Sequence, residues 1–190
     1  KYPHKKKNII QKQNFSLKVK ECVGIIGESG AGKTTIVDLF LGLLKPNKGQ
    51  IYLNNKLIKA DSQEWSKLIS YLPQDPMLIE DTIKTNICLD LSKTSNQKIK
   101  KNLDAAITQA NIKKFIRSLP NGINTKIGEF GIRLSGGQSK RVALARTFYH
   151  DKEIIVMDEA TSSLDEKTEN FILEQIKELK RKKTVIIITH

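Results

Sequence analysis

Cysteine is scarce. Cys22 and Cys88 are the only two in 190 residues, too few and too apolar in context for a disulfide framework or a metal site. A reducing cytosol is the default setting for such a chain. Long apolar runs are missing as well. Val185 to Ile188 is only strand-sized, against the roughly 20 residues of a membrane helix. The first residues, KYPHKKKNII, lack the ~7–15-residue apolar stretch of a secretory leader. No lysine run is interleaved with aromatics, as a single-stranded nucleic-acid groove requires. No internal repeat or low-complexity tract interrupts the chain.

What is present is an ordinary globular composition with a strong positive bias. The chain is 38% hydrophobic and 28% charged, with a formal net charge of +13. That supports a buried core and one domain, or one domain with a small lobe. The charge has two readings: lysines spread over solvated faces, or a surface held close to anionic lipid. Nucleic acid is not expected.

Periodicity organises the chain. FSLKV (Phe15 to Val19) alternates and predicts a half-buried strand. CVGII (Cys22 to Ile26) is apolar throughout and predicts a strand buried on both faces. A helix follows from Lys33 to about Leu44, stopped by Pro46. GQIYLNN predicts a strand and a turn at Asn54-Asn55, and LISYL a short strand ending at Pro73. Thr82 to Leu119 is mainly helical, and LPNGINTKIGEFGIR is loop. A helix covers Ser135 to Tyr149, EIIVMD is a buried strand, Asp165 to Lys182 is a helix, and TVIII is the last strand. Buried strands alternating with helices around a helical middle predict an α/β core with an inserted helical lobe. The insertion lies roughly between Gln74 and Arg133. With the helix after it, the lobe spans roughly 74–150, leaving a core of 1–73 and 151–190.

One stretch carries chemistry by itself. Gly27-Glu28-Ser29-Gly30-Ala31-Gly32-Lys33-Thr34-Thr35 fits G-x-x-x-x-G-K-[ST] between a strand and a helix. Glycines let the backbone wrap a phosphate, with N–H groups pointing inward. The helix adds its positive end. Lys33 can reach the outer phosphates and Thr34 can offer a hydroxyl to Mg²⁺. The expected ligand is a nucleoside triphosphate. Asp158 and Glu159 close the apolar strand EIIVMD. Alone they could cap a helix or lie in a surface turn. Beside a phosphate loop, Asp158 can hold the magnesium and Glu159 can orient or deprotonate a water. Open α/β sheets bind ligands at the carboxyl ends of their strands.

Between these motifs stands LSGGQSKRVALAR, Leu134 to Arg146. Ser135 and Gln138 have the spacing of a capping box. A cap does not require the glycines Gly136 and Gly137, whereas close approach to a phosphate does. With this stretch the chain resembles the nucleotide-binding domain of ABC transporters over essentially its whole length, and LSGGQ is similar to their signature sequence. The resemblance implies a P-loop NTPase core with a mostly parallel sheet, an antiparallel β subdomain and an α-helical signature subdomain. It implies ATP and Mg²⁺ as ligands. Tyr2 would stack on adenine. Gly27 to Thr35 would be Walker A, and Asp158 with Glu159 Walker B. Gln74 would be the Q-loop glutamine that touches the magnesium. Ser162 to Asp165 would form the D-loop, and His190 the switch histidine at the γ-phosphate. Glu159, His190, Lys33 and Gln74 would carry the hydrolysis. Ser135, Gly136, Gly137 and Gln138 would meet ATP in trans, across a head-to-tail dimer of two such domains.

DTIKTNI and IGEFG resemble the exporter branch. Gln74 and Glu129 would then meet coupling helices of a membrane domain, at the cytoplasmic face of a bacterial inner membrane. The chain begins at the adenine aromatic and stops at the switch histidine, so the resemblance implies an excised ATPase domain without its membrane part. Its general look is similar to bacterial flippases for lipids and lipid-linked oligosaccharides, although peptide, lipid A-like and drug exporters share the motifs. An importer's separate ATPase subunit is the alternative that IGEFG disfavours. A soluble ABC clamp acting on DNA or ribosomes is disfavoured by the absence of a long coiled coil between Lys33 and Ser135. A non-hydrolysing regulatory domain is disfavoured by Glu159 and His190.

Overall fold

The structure, a computed structural model, describes residues 9–10, 13–28, 30–59, 62–89, 97–129 and 131–189. Its centre is a four-stranded parallel sheet in the order β1 (Cys22–Ile26), β6 (Thr184–Thr189), β5 (Ile154–Asp158), β4 (Ile69–Leu72). Strands that alternate with helices in sequence pair in parallel because each crossover returns the chain to the same end. The order places β5 and β6 inside, and both are almost wholly buried. Burying a side chain such as Ile155 or Ile188 contributes about 1.5–3 kcal/mol.

β5 divides the interior by simple alternation. Ile155 and Met157 face one hydrophobic cluster, and Val156 faces the other. On the second face lies α1 (Lys33–Leu41), through Val37 and Phe40. On the first lie α7 (Glu166–Lys180), through Ile172 and Ile176, and a group of helices from the middle of the chain. These are α3 (Ile83–Cys88), α4 (Gln97–Gln109), α5 (Lys113–Ser118) and α6 (Gly136–His150). α6 packs on both α3 and α4. The helical region thus shares one continuous core with the sheet.

A separate antiparallel pair, β2 (Ile51–Leu53) and β3 (Lys56–Ile58), turns at Asn54 and Asn55. Both asparagines have positive φ, 49° and 64°. That is the signature of the tight turn whose twist matches the strands, and asparagine tolerates it. α2 (Gln63–Leu68) is tied to α1 by Trp65, whose indole N–H donates to the Phe40 carbonyl at 2.6 Å while its ring meets Phe40 edge-on.

Three sequence expectations change. CVGII is not buried on both faces: β1 is an edge strand, and Ile26 is 74% exposed. FSLKV is not a strand, because no described strand pairs with it; Phe15 and Val19 are exposed and only Leu17 packs on a cluster. The helix from Lys33 ends at Leu41 rather than Leu44. Gly42 takes the left-handed conformation at φ 77°, and its N–H closes the helix onto Asp38 and Leu39 carbonyls. The loop at 120–133 also contains a short 3-10 turn, Gly122–Asn124.

Candidate functional site

The glycine loop, Gln74 and the two acids follow directly on strands of the parallel sheet, at its carboxyl end. The register makes this a geometric fact. Ile26 of β1 pairs with Thr189 of β6, Ile188 with Asp158 of β5, and Met157 with Leu72 of β4. The segments after Ile26, Leu72 and Asp158 therefore leave the sheet at one level. They are the glycine loop, the Gln74 segment and the Glu159 turn. Tyr2, Ser29 and His190 themselves lie outside the described residues.

The glycine loop is closed on a lysine. Gly30 and Gly32 have φ of 81° and 93°, in the left-handed region that costs side chains with a Cβ roughly 1–2 kcal/mol. Gly32 caps α1 without a side-chain hydrogen bond, where a serine or aspartate would use its own oxygen. Thr34, in the first turn, is exposed. Lys33 Nζ donates to the Gly27 carbonyl at 2.5 Å and the Glu28 carbonyl at 3.1 Å.

Opposite stand the two acids. Asp158 is 5% exposed, and burial pushes its carboxyl above the usual range, helped by the charge of Glu159 and opposed by Lys140 and Lys33. A carboxylate held in that state gains from a nearby cation. Glu159 sits in the left-handed region at φ 47°, an unusual place for a glutamate. Its N–H donates to the Ile188 carbonyl at 3.1 Å, and its Oε2 accepts from Gln74 Nε2 at 3.0 Å. Gln74 thus reaches the Glu159 carboxylate directly.

Among the described residues no group of three or more His, Cys, Asp or Glu side chains could hold a metal ion. A cation at Asp158 would have to complete its shell with hydroxyl, water and ligand oxygens. Mg²⁺ bound with a nucleotide does so, so the donor set fits that ion and not a zinc site.

The first turn of α6 completes the picture. Ser135 Oγ accepts from the Gln138 N–H at 3.3 Å, and Gln138 Oε1 accepts from the Ser135 N–H at 2.9 Å. The predicted capping box is formed. The two glycines differ. A Cβ at Gly136 would meet nothing within 4 Å, whereas one at Gly137 would lie 3.0 Å from the Ser163 carbonyl oxygen. Gly137 is half-buried rather than exposed; close packing on this chain's own 162–165 segment explains it. Nothing among the described residues requires glycine at Gly136.

Two residues of the site carried no motif. Lys140 is 3% exposed and reaches the Glu159 carbonyl oxygen at 2.8 Å. Burial pulls its pKa down, and the charges of Glu159, Asp75 and Asp158 oppose that. Tyr71, next to the site, is pushed up to about 12 by burial and by Asp158 and Asp38. A signal for Lys140 exists in the sequence: it shares a helical stripe with the buried Ala143, Leu144 and Thr147. A cleft of about 330 Å³ joins Gln74, Asp75, Gly136, Lys140, Glu159 and Ser162.

DTIKTNI and IGEFG, distant in sequence, meet in space. Ile83 N–H donates to the Thr125 carbonyl at 3.1 Å and Ile127 N–H to the Asp81 carbonyl at 3.0 Å. A Cβ at Gly131 would collide with the Lys126 backbone, so only glycine closes this turn. Glu129 is exposed, and its N–H donates to Glu80 Oε1 at 3.3 Å. Beside it is a cleft of about 300 Å³ lined by Leu78, Ile79, Ile127, Ile132 and Leu134. Asn86, fully buried, fastens α3 beneath it and accepts from Arg146 of α6.

Comparison with known proteins gives a consistent answer. The family described as ABC transporter matches residues 10–162. A Rickettsia typhi protein named as an export ATP-binding/permease protein is 38% identical over 183 residues, covering 96% of this chain and 31% of its own length. The transport ATP-binding protein AarD of Providencia stuartii is 35% identical over 190 residues, covering 100% of this chain and 32% of its own length. A solved bacterial Atm1-family ABC exporter with ATP bound superimposes with a TM-score of 0.82 at 37% identity, over 93% of this chain and 30% of that one. The chain spans about a third of the length of these relatives. No helix among the described residues is long and apolar enough to cross a membrane.

Proposed function

Because the chain belongs to the ABC transporter family, we propose that it binds and hydrolyses ATP as the ATPase domain of an exporter, working as one half of a head-to-tail dimer. The observation that carries this reading is the sheet register: the glycine loop, Asp158 and the Gln74–Glu159 hydrogen bond share one end of the sheet.

Gly27 to Thr35 cradles the triphosphate with backbone N–H groups, and Tyr2 stacks on the adenine. Lys33 exchanges its bonds to the Gly27 and Glu28 carbonyls for phosphate oxygens. Thr34, Asp158 and Gln74 hold Mg²⁺, which neutralises charge developing on the phosphates. Glu159 accepts a proton from, or orients, the attacking water, and Gln74 keeps its carboxylate directed. His190 meets the γ-phosphate. Ser135 to Gln138 engage the ATP of a second copy, so each site is completed in trans. ATP binding closes the dimer, and hydrolysis releases it.

The partner on the membrane side is a set of coupling helices. The exposed Glu129, the apolar cleft beside it and the 86%-exposed Met77, which precedes the lining residue Leu78 in the chain, support that docking face. The names of the relatives favour export. Lipid or lipid-linked compounds are one candidate cargo, and the cytoplasmic face of a bacterial inner membrane is the setting. The net charge of +13 suits proximity to anionic lipid there. The test is phosphate release from ATP by the full natural chain, with and without Mg²⁺; a chain that binds no nucleotide sinks the reading.

Gly136→Ala separates trans from cis. No atom of the described residues lies within 4 Å of a methyl group there, and alanine in place of glycine in a helix stabilises by about 0.5–1 kcal/mol. The variant is expected to melt no lower than the wild type, to bind ATP with unchanged affinity, and to lose turnover by about tenfold or more, as an obstructed phosphate contact does. Ser135→Ala is expected to follow it in turnover. Full activity in Gly136→Ala would show that nothing approaches α6 from a second copy.

A further inference from the structure

Lys140 belongs to none of the motifs that bind nucleotide, yet its ammonium lies behind them. Lysine is rarely buried without partners, and here the partners are informative. Nζ donates to the Glu159 carbonyl oxygen at 2.8 Å and to Ser162 Oγ at 2.6 Å. Ser162 Oγ donates onward to the same Glu159 carbonyl at 2.9 Å, and the Ser162 N–H reaches it at 3.1 Å. That peptide follows the left-handed φ of 47° that aims the Glu159 side chain. A strained conformation persists only where the surroundings over-determine it, and Lys140 supplies part of that determination.

The lysine arrives from α6, just after the capped first turn of Ser135 to Gln138. The same turn presses on the 162–165 segment through Gly137 and the Ser163 carbonyl. The start of α6 and the Glu159 turn of one chain are therefore joined at two points.

We propose that Lys140 is a positioning residue that locks the Glu159 turn to the start of α6, so that engagement of the partner's ATP by Ser135 to Gln138 sets the aim of Glu159 at this chain's own ATP. The proposal rests on the two-site reading given above and adds the link between the sites. It makes hydrolysis at each site depend on occupancy of the other through a hydrogen-bonded rod inside one subunit. A claim of coupling requires coupling evidence, and substitution of Lys140 supplies it.

The experiment uses the full natural chain, with Lys140→Met, Lys140→Gln and Ser162→Ala. Methionine keeps length and burial but has no donor; glutamine can still donate to a carbonyl. Lys140→Met is expected to lower kcat by about 10²-fold, the cost of a displaced catalytic group, with KM for ATP within about threefold. Its dependence on ATP concentration loses cooperativity. Lys140→Gln recovers part of the rate, and Ser162→Ala loses less than Lys140→Met. Hydrogen exchange of the 159–165 amides accelerates in Lys140→Met while α7 and β6 stay protected.

A space-filling role predicts the reverse order, with methionine better than glutamine, and that order overturns the proposal. Wild-type kcat in Lys140→Met overturns it as well. So does unchanged exchange at 159–165, whatever the turnover. If Lys140→Met does not fold, Lys140→Gln and Ser162→Ala carry the same comparison against wild type. A wild-type chain that binds ATP without hydrolysing it defeats the hydrolytic reading instead, and the exchange measurement still decides whether Lys140 holds the turn.

Discussion

Glu159→Gln is expected to bind ATP as the wild type does and to turn it over about 10²–10⁴-fold more slowly, the usual contribution of a positioned general base. The substitution changes one oxygen to an amide nitrogen and leaves length and shape intact. The remaining amide oxygen can still accept from Gln74 Nε2, which now bonds the carboxylate at 3.0 Å. The backbone of the turn is held by Ile188, Lys140 and Ser162, none of which touches the carboxylate in those bonds. Binding and fold should therefore survive while the proton acceptor is lost. In a two-site clamp the consequence is visible as mass. Light scattering of the full chain should show Glu159→Gln doubling in molar mass with ATP and staying doubled, whereas the wild type returns as ATP is consumed. Nucleotide bound without any doubling means that ATP acts on a single copy, and the trans site fails.

The parts of this site legible in the sequence are those fixed by neighbours along the chain. The glycine loop, the Ser135–Gln138 capping box and the Asn54-Asn55 turn each depend on residues within a few positions of one another. The capping box and the Asn54-Asn55 turn have the expected geometry, and Gly30 and Gly32 take the left-handed φ that glycine allows. The Cys22 to Ile26 strand was legible as a strand but not as an edge, because edge position depends on the sheet order β1-β6-β5-β4. Its apolar run reads the same in either place. Phe15 to Val19 alternates like a strand, yet alternation cannot supply a pairing partner. The early end of α1 was foreshadowed by Gly42, a residue that stops helices as firmly as the more conspicuous Pro46. Lys140 stayed hidden for another reason. Its acceptors lie 19 and 22 residues away, across a helix and a strand, and a lysine on a charged chain attracts no notice. Gly136 and Gly137 looked equivalent until the Ser163 carbonyl distinguished them.

Lys33→Ala is expected to weaken ATP binding by about 10²-fold, and turnover at ordinary ATP concentrations should fall with it. That loss reflects what the ammonium exchanges. Without phosphate it bonds the Gly27 and Glu28 carbonyls, neutral acceptors that solvent could replace. With phosphate it gains charged oxygens, and a hydrogen bond to a charged group is worth about 1.5–3 kcal/mol, or roughly one to two powers of ten in affinity. Its charge also acts on Asp158, where it opposes the upward push of burial. Loss of Lys33 leaves that buried carboxylate less comfortable in its charged form, which works against a bound cation as well. The fold has little reason to suffer, because alanine suits the first helical position after Gly32. The discriminating measurement is the ATP-dependent rise in melting temperature of the full chain, since a ligand raises stability by RT ln(1 + [L]/Kd). Lys33→Ala should melt close to the wild type without ATP and lose most of the rise with it. An equal rise in both proteins would mean that the nucleotide is held elsewhere than in the loop of Gly27 to Thr35. A lower melting temperature without ATP, with the full rise retained, would make Lys33 a structural clip of the loop rather than a ligand for phosphate. The two bonds to Gly27 and Glu28 allow either role, and only the response to ATP tells them apart.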